Sequence, residues 1–188
     1  TYSPLKHFKV GKGHKVGVLG MGGLGHMGVK FAKALGAEVT IFTRSEAKVA
    51  EAKKQGADHV IISTDKEQMK AAADSFDFLL DTIPVAHDLN PYLKCLKYDG
   101  THILVGLLTP IEPALQAGLL VTKRRVVAGS LIGGMPETQE VLDFCAEHDI
   151  TCDIEMLDIR NINEAYVRMK KGDVKYRFVI DMKTLKEG

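Results

Sequence analysis

From Lys15 onward, short apolar runs alternate with amphipathic stretches. The runs are Val16–Gly20, Val39–Thr43, His59–Ile62, Phe76–Asp81, His102–Gly106 and Arg125–Ala128. Each is apolar on both faces, as a parallel strand is when helices cover it above and below. Between the first two runs, Leu24, Met27, Phe31 and Leu35 recur every three or four residues, which is the stripe of one helix face. Gly36 follows where a C-cap is expected. Ser45 stands as N-cap before an alanine- and lysine-rich helix that ends near Gly56. This alternation predicts an α/β fold, a doubly wound parallel sheet with helices on both faces.

The two ends of the chain read differently. Residues 1–14 are polar and basic, with Pro4 early and Gly11 and Gly13 late, and are expected to form a lead-in helix or loop. After the sixth run, Glu137–His148 and Asn161–Lys171 read as helices and Lys175–Asp181 as a last strand. The predicted division is a lead-in over 1–14, a sheet domain over 15–150, and a C-terminal extension of helix and strand over 151–188.

Composition narrows the class. The 188 residues are 45% hydrophobic and 26% charged, too apolar for a disordered chain. The formal charge of +1 gives no electrostatic footprint for nucleic acid or an acidic membrane surface. No apolar run approaches the roughly 18 residues of a membrane span. The cysteines Cys95, Cys145 and Cys152 form no CxxC pair, so neither a disulfide framework nor a thiolate zinc site is expected, and a reducing cytoplasm fits. A chain that opens at Thr1 rather than methionine is expected to be a processed or excised piece.

The chemistry is concentrated at Gly20-Met21-Gly22-Gly23-Leu24-Gly25, which fits G-x-G-x-x-G. The motif is weak alone, but here it follows a predicted strand and opens a predicted helix, the setting of a dinucleotide-binding Rossmann turn. Gly20 permits the tight turn, Gly22 lets a pyrophosphate approach the backbone, and Gly25 lets helix pack on strand. The free N–H groups and helix dipole at Gly23 and Leu24 would hold the phosphates. The bland alternative is a glycine-rich structural turn. A P-loop is excluded, because His26 follows Gly25.

The end of the second strand bears on which dinucleotide. An NAD site carries Asp or Glu about 20 residues beyond the loop, for the ribose 2′-hydroxyl. Here the tip reads Phe42-Thr43-Arg44-Ser45; Glu38 lies at the wrong end of the strand and Glu46 on the next helix. Thr43 and Ser45 can donate to a 2′-phosphate, Arg44 can add a charge-assisted contact, and Lys48 lies one helical turn further on. That favours NADP(H). The alternative is that Ser45 is only a cap and Arg44 only solvated.

Other candidates carry less. Tyr166 and Lys170 form Y-x-x-x-K, but after the sixth strand, where a solvated helix face explains them. The seven histidines show no H-E-x-x-H or paired ligand spacing. His26 can cap the helix start, with packing as the default. Cys95 and Cys145 read as small core hydrophobes.

On these residues the chain resembles the zinc-dependent medium-chain alcohol dehydrogenases, in the branch similar to cinnamyl alcohol dehydrogenases and bacterial aldehyde reductases. Thr1–His7, the loop with His26-Met27, and Phe42–Ser45 carry the likeness. So do Asp81-Thr82-Ile83-Pro84, Leu104-Val105-Gly106, Gly129–Gly134, Glu137–Glu140 and Tyr176–Asp181. The likeness covers only the family's coenzyme domain and C-terminal end. It implies that Thr82, Ile83, Pro84, Val105, Gly106, Ser130, Leu131 and Ile132 line the nicotinamide and that Arg177 faces the pyrophosphate, unless it is only a surface salt bridge. It also implies a preceding catalytic domain that carries zinc, which this chain lacks. No catalytic residue and no metal ligand is then expected here, and the chain alone should bind coenzyme without turnover. The full-length enzyme is expected to be a homodimer or larger. The partners are the nicotinamide dinucleotide and the absent catalytic domain, with no nucleic acid and no membrane. Two rivals remain, a standalone dinucleotide-binding regulatory module and a methyltransferase; the latter would want an acidic residue where Thr43 stands.

Overall fold

Strand and helix alternate as the apolar runs predict. The computed structural model describes residues 1–106 and 109–186, the side chain of Lys186 excepted. It separates into two compact units, residues 1–150 and 151–188.

In the first unit the strands are β1 (Lys15–Leu19), β2 (Glu38–Thr43), β3 (His59–Ile62), β4 (Phe76–Asp81), β5 (Leu96–Leu104) and β6 (Val126–Gly129). They form one sheet in the order β3-β2-β1-β4-β5-β6. Every neighbouring pair is parallel. This is the doubly wound Rossmann arrangement, whose strand order reverses between β1 and β4. The helices are α1 (Tyr2–His7), α2 (Gly23–Ala34), α3 (Val49–Lys54), α4 (Lys66–Ala71), α5 (Asn90–Cys95), α6 (Ala117–Val121) and α7 (Met135–Glu147).

Helices cover both faces, as the two-sided apolar runs require. One core joins Leu5 of α1, Val29 and Ala32 of α2 and Ala52 of α3 to Val16, Val18, Val39, Ile41 and Leu80 of the sheet. The other joins Leu93 and Cys95 of α5 to Leu19, Phe42, Phe76 and Leu79. Burial pushes the Cys95 thiol up to about 11, the behaviour of a packing residue rather than a nucleophile.

Several sequence expectations shift. Residues 1–14 belong to the first unit: Tyr2 and Leu5 are buried, the Tyr2 ring packs edge-on against Phe31 at 5.4 Å, and its hydroxyl donates to Glu140 of α7 at 2.9 Å. β5 starts at Leu96 rather than His102, because the polar Tyr98-Asp99-Gly100 stretch is absorbed as an irregularity in its pairing with β4. Val105 and Gly106 lie past its end. Gly20 likewise lies past the end of β1. Arg125 lies just before β6, drawn inward by its guanidinium.

The second unit holds β7 (Ile154–Asp158), α8 (Ile162–Lys170) and β8 (Arg177–Asp181), with β7 and β8 paired in parallel. The extension is therefore strand, helix and strand. The run Ile154-Glu155-Met156-Leu157-Asp158 escaped the sequence reading because a two-stranded sheet leaves it half exposed and mixed in polarity. No helix among the described residues is long and apolar enough to cross a membrane.

Arg125 fixes the start of β6. Its Nε and Nη2 donate to the Leu96 carbonyl at 2.9 and 2.6 Å, Nη1 donates to Leu119 O at 3.1 Å, and Nη2 also reaches Asp74 at 2.7 Å. Arg125→Met would remove the guanidinium hydrogen bonds to the Leu96 and Leu119 carbonyls and to Asp74, and is expected to lower unfolding free energy by about 2–3 kcal/mol. Urea denaturation measures this; a loss under about 0.5 kcal/mol would mean that the guanidinium is dispensable.

Candidate functional site

The turns that follow β1, β2, β4, β5 and β6 all lie at the carboxyl edge of the sheet, where open α/β folds bind ligands. Backbone bonds lock them to one another. Gly20 N donates to Phe42 O at 3.2 Å, Thr82 N to Leu19 O at 3.0 Å, and Ser130 N to Leu104 O at 3.0 Å. The Asp81 carbonyl accepts from both Val105 N (2.9 Å) and Gly106 N (3.1 Å).

The glycine turn is closed beneath and open above. Thr82 is buried, and its hydroxyl donates to Leu19 O at 2.7 Å. A Cβ on Gly20, whose φ is +88°, would meet that hydroxyl at 3.0 Å. A Cβ on Gly25 would meet Gly20 O at 2.1 Å and the Thr82 hydroxyl at 3.2 Å. At Gly22, by contrast, nothing lies within 4 Å of where a Cβ would stand. Gly22 is exposed and is the N-cap of α2, with an ordinary φ of −116°. The first intrahelical bond, His26 N to Gly22 O at 3.1 Å, comes only here, so the amides of Gly23, Leu24 and Gly25 have no acceptor within the helix. His26 is fully buried with Nδ1 3.1 Å from Gly22 O, so it braces the helix start from inside.

At the tip of β2, Thr43 is buried and its Oγ1 accepts from Ser45 N at 3.3 Å. Arg44 is exposed. Ser45 occupies the N-cap position of a 3₁₀ turn, Glu46–Lys48, that leads into α3, but its side chain makes no capping hydrogen bond. Ser45 thus stands at the expected N-cap position, but the element it opens begins as a 3₁₀ turn and its hydroxyl makes no capping bond. Lys48 ends this turn and is exposed. Ile83 and Pro84 follow Thr82 over the edge, Pro84 exposed. Leu131 and Ile132 project into solvent, 74% and 83% exposed. Arg177 is an exposed residue of the second unit, at the start of β8.

Sequence reading missed a buried cluster at the end of β4. Asp81 is fully buried, and one carboxylate oxygen lies 2.9 Å from Nε2 of His87 and 2.9 Å from Nε2 of His102. The other accepts from Ile83 N at 3.0 Å. Burial pushes the Asp81 carboxyl up, but the hydrogen bonds from the two histidines outweigh it and hold it below the ordinary range. Spacings of six and 21 residues belong to no local motif; only the pairing of β4 with β5 brings these groups together. Tyr92 of α5 packs edge-on against Phe42 at 5.6 Å, so the segment after β4 reaches back toward the tip of β2.

Among the described residues, no group of three or more His, Cys, Asp or Glu side chains is placed to hold a metal ion. A cavity of about 390 Å³ lies at the opposite edge of the sheet, lined by Lys15, Glu38, His59, Gln68 and Phe76 among others. It touches none of the glycine turn.

Comparison with known proteins agrees with this geometry. The family described as zinc-binding dehydrogenase matches residues 23–147. An aldehyde reductase from Escherichia coli, YahK, is 56% identical over 185 residues, covering 98% of this chain and 53% of that protein. An 8-hydroxygeraniol dehydrogenase from Catharanthus roseus is 50% identical over 97% of this chain and 51% of its own length. Among solved structures, a cinnamyl alcohol dehydrogenase from Sorghum bicolor superposes with a TM-score of 0.91 at 43% identity, covering 96% of this chain and 51% of that one. A Helicobacter pylori enzyme described as CAD, complexed with NADP(H), gives 0.84 at 45% identity, covering 97% and 52%. The chain spans about half the length of the curated relatives it matches.

The asymmetry of the turn predicts a graded response to one added methyl group. Gly25→Ala forces a backbone oxygen aside and is expected to lower stability by about 2–3 kcal/mol, within the overpacking range. Gly22→Ala points into open space and is expected to stay within about 0.5 kcal/mol of the parent. Thermal unfolding of both variants checks this; equal losses would show that the turn is not closed from below.

Proposed function

This chain belongs to the zinc-binding dehydrogenases, and from that premise we propose that its first unit is the NADP(H)-binding domain of an alcohol dehydrogenase or aldehyde reductase. The observation that carries the reading is the open space above Gly22 at the start of a helix whose first amides lack intrahelical acceptors. Pyrophosphate fits there, against backbone and helix dipole, with no side chain in the way.

When bound, the nicotinamide supplies a hydride acceptor or donor. The chain's own residues bind and orient it. Thr82 holds the glycine turn in shape from below, while Ile83, Pro84, Val105, Gly106, Ser130, Leu131 and Ile132 present the edge along which the coenzyme lies. No residue of this chain is assigned a chemical step. The part of the relatives outside the match is where we place the zinc ligands and the aldehyde or alcohol pocket, in an enzyme that works as a homodimer or larger.

Three features support NADP(H) over NAD(H): the tip of β2 has no carboxylate, Arg44 is exposed beside it, and the Ser45 hydroxyl is not used as a cap. The H. pylori relative was crystallised with the same coenzyme. Calorimetric titration of this chain is expected to give tighter binding of NADPH than NADH by about 1.5–3 kcal/mol, the range for hydrogen bonds to a charged group. Thr43→Asp should reverse the order by repelling the 2′-phosphate. Gly22→Ala should weaken both coenzymes at least tenfold while remaining folded. Equal affinities for NADPH and NADH would refute the assignment of the β2 tip, and undiminished binding by Gly22→Ala would refute the placement of the pyrophosphate.

A further inference from the structure

His87 lies on the segment that links Asp81 to α5, and its ring is held at both nitrogens. Nε2 is 2.9 Å from the buried carboxylate of Asp81, and Nδ1 is 2.9 Å from the carbonyl oxygen of Val85. Both partners are oxygens that only accept, so both bonds form together only when both nitrogens carry protons. The second histidine on Asp81 differs. His102 gives Nε2 to the carboxylate, while its Nδ1 is buried with no hydrogen-bond partner among the described residues. A proton there would be unpaired, so this pocket accepts the Nε2–H tautomer of His102. The positive charge that balances buried Asp81 therefore comes from His87.

The ionisable groups that face His87 come from every element packed against it. They are Asp81 at the end of β4, Asp88 on its own segment, and Tyr92 of α5, whose ring centroid lies 6.1 Å away. His102 of β5 lies across Asp81, and Tyr92 in turn faces Ser63 and Arg44. Between the two attachment points, Asp81 and Val85, lie Thr82, Ile83 and Pro84, and Ile83 N is itself held by Asp81 at 3.0 Å.

We propose that His87 is a positioning residue for the dinucleotide: as an imidazolium it fastens the 82–87 segment to Asp81 in the shape that binds coenzyme, and its deprotonation loosens that segment and weakens binding. The proposal rests on the coenzyme reading above. The hydrogen bond to Asp81 holds His87 above the ordinary histidine range, against burial, which alone would lower it. A raised value fixes the sign. The tie is complete below the ordinary histidine pKa and is lost as pH rises through the raised one.

The test is a titration of the 188-residue chain with NADPH, read by the coenzyme's own fluorescence, which the absence of tryptophan leaves clear. It runs from pH 7 to 9.5, a full unit or more above the second pKa of about 6 of a phosphate monoester, so the ligand's charge is close to constant. The wild-type Kd is expected to rise about fivefold or more across that range, the low end of typical coupling between sites. His87→Gln keeps a donor for Asp81 but cannot titrate. Its Kd is expected to stay flat over the same range, near the wild-type alkaline value. His87→Asn provides the same comparison should the glutamine variant fail to fold, as judged by circular dichroism. An NMR titration of the His87 ring protons should place its proton loss at the pH where Kd changes. Wild type and His87→Gln with the same pH profile would overturn the positioning role and leave the coenzyme reading intact. Absence of NADPH binding at every pH would overturn both.

Discussion

The Leu19 carbonyl receives both the backbone N–H and the side-chain hydroxyl of Thr82, at 3.0 and 2.7 Å, and the site is built outward from that contact. It seats the end of β4 directly under the turn that leaves β1. That hydroxyl crowds Gly20 from below, and the Gly20 carbonyl in turn leaves Gly25 no room for a side chain. The free surface of the turn is thereby directed upward, at Gly22. A hydrogen bond worth about 1 kcal/mol net in stability thus decides which surface of the turn is available to an anion.

Asp81, one residue earlier, extends the same device sideways. Its carbonyl takes the amides of Val105 and Gly106, which sets the turn after β5. Its carboxylate takes Ile83 N and the two histidines, which sets the segment after β4. Strand order places these turns side by side, and this residue fixes their relative height. A polar group buried so deeply is tolerable because each carboxylate oxygen is satisfied.

The parts of this molecule that were legible in the sequence are those governed by short periods. Five of the six sheet strands begin and end within one residue of their apolar runs, because each run is a short apolar segment bounded by polar or turn residues. The glycine turn was legible because its three glycines answer to three different local needs. β5 was truncated in the reading, since Tyr98-Asp99-Gly100 has the chemistry of a turn and only pairing with β4 keeps it in the strand. β7 was missed because a half-exposed strand leaves no clean alternation. The Asp81, His87 and His102 cluster was unreadable for a different reason. Its members sit on a strand, a loop and another strand, and no local spacing encodes a contact made by sheet pairing. Ser45 shows the limit of residue type: it stands at the N-cap position, yet its side chain makes no capping hydrogen bond.

Thr82 and Leu19, the two sides of the founding contact, are 63 residues apart in sequence. During synthesis β1, α2 and β2 can assemble from neighbouring residues, whereas the central pairing of β1 with β4 waits for that intervening loop to close. Until then the apolar inner edge of β1, with Val16 and Val18, stays unpaired on a nascent chain, the condition under which strands recruit wrong partners. The interval of greatest aggregation hazard on the ribosome is therefore set by how far apart the gene places the floor and the roof of the binding turn. Slower translation through residues 44–75 would lengthen that exposure, and a chaperone that shields the β1 edge would shorten it.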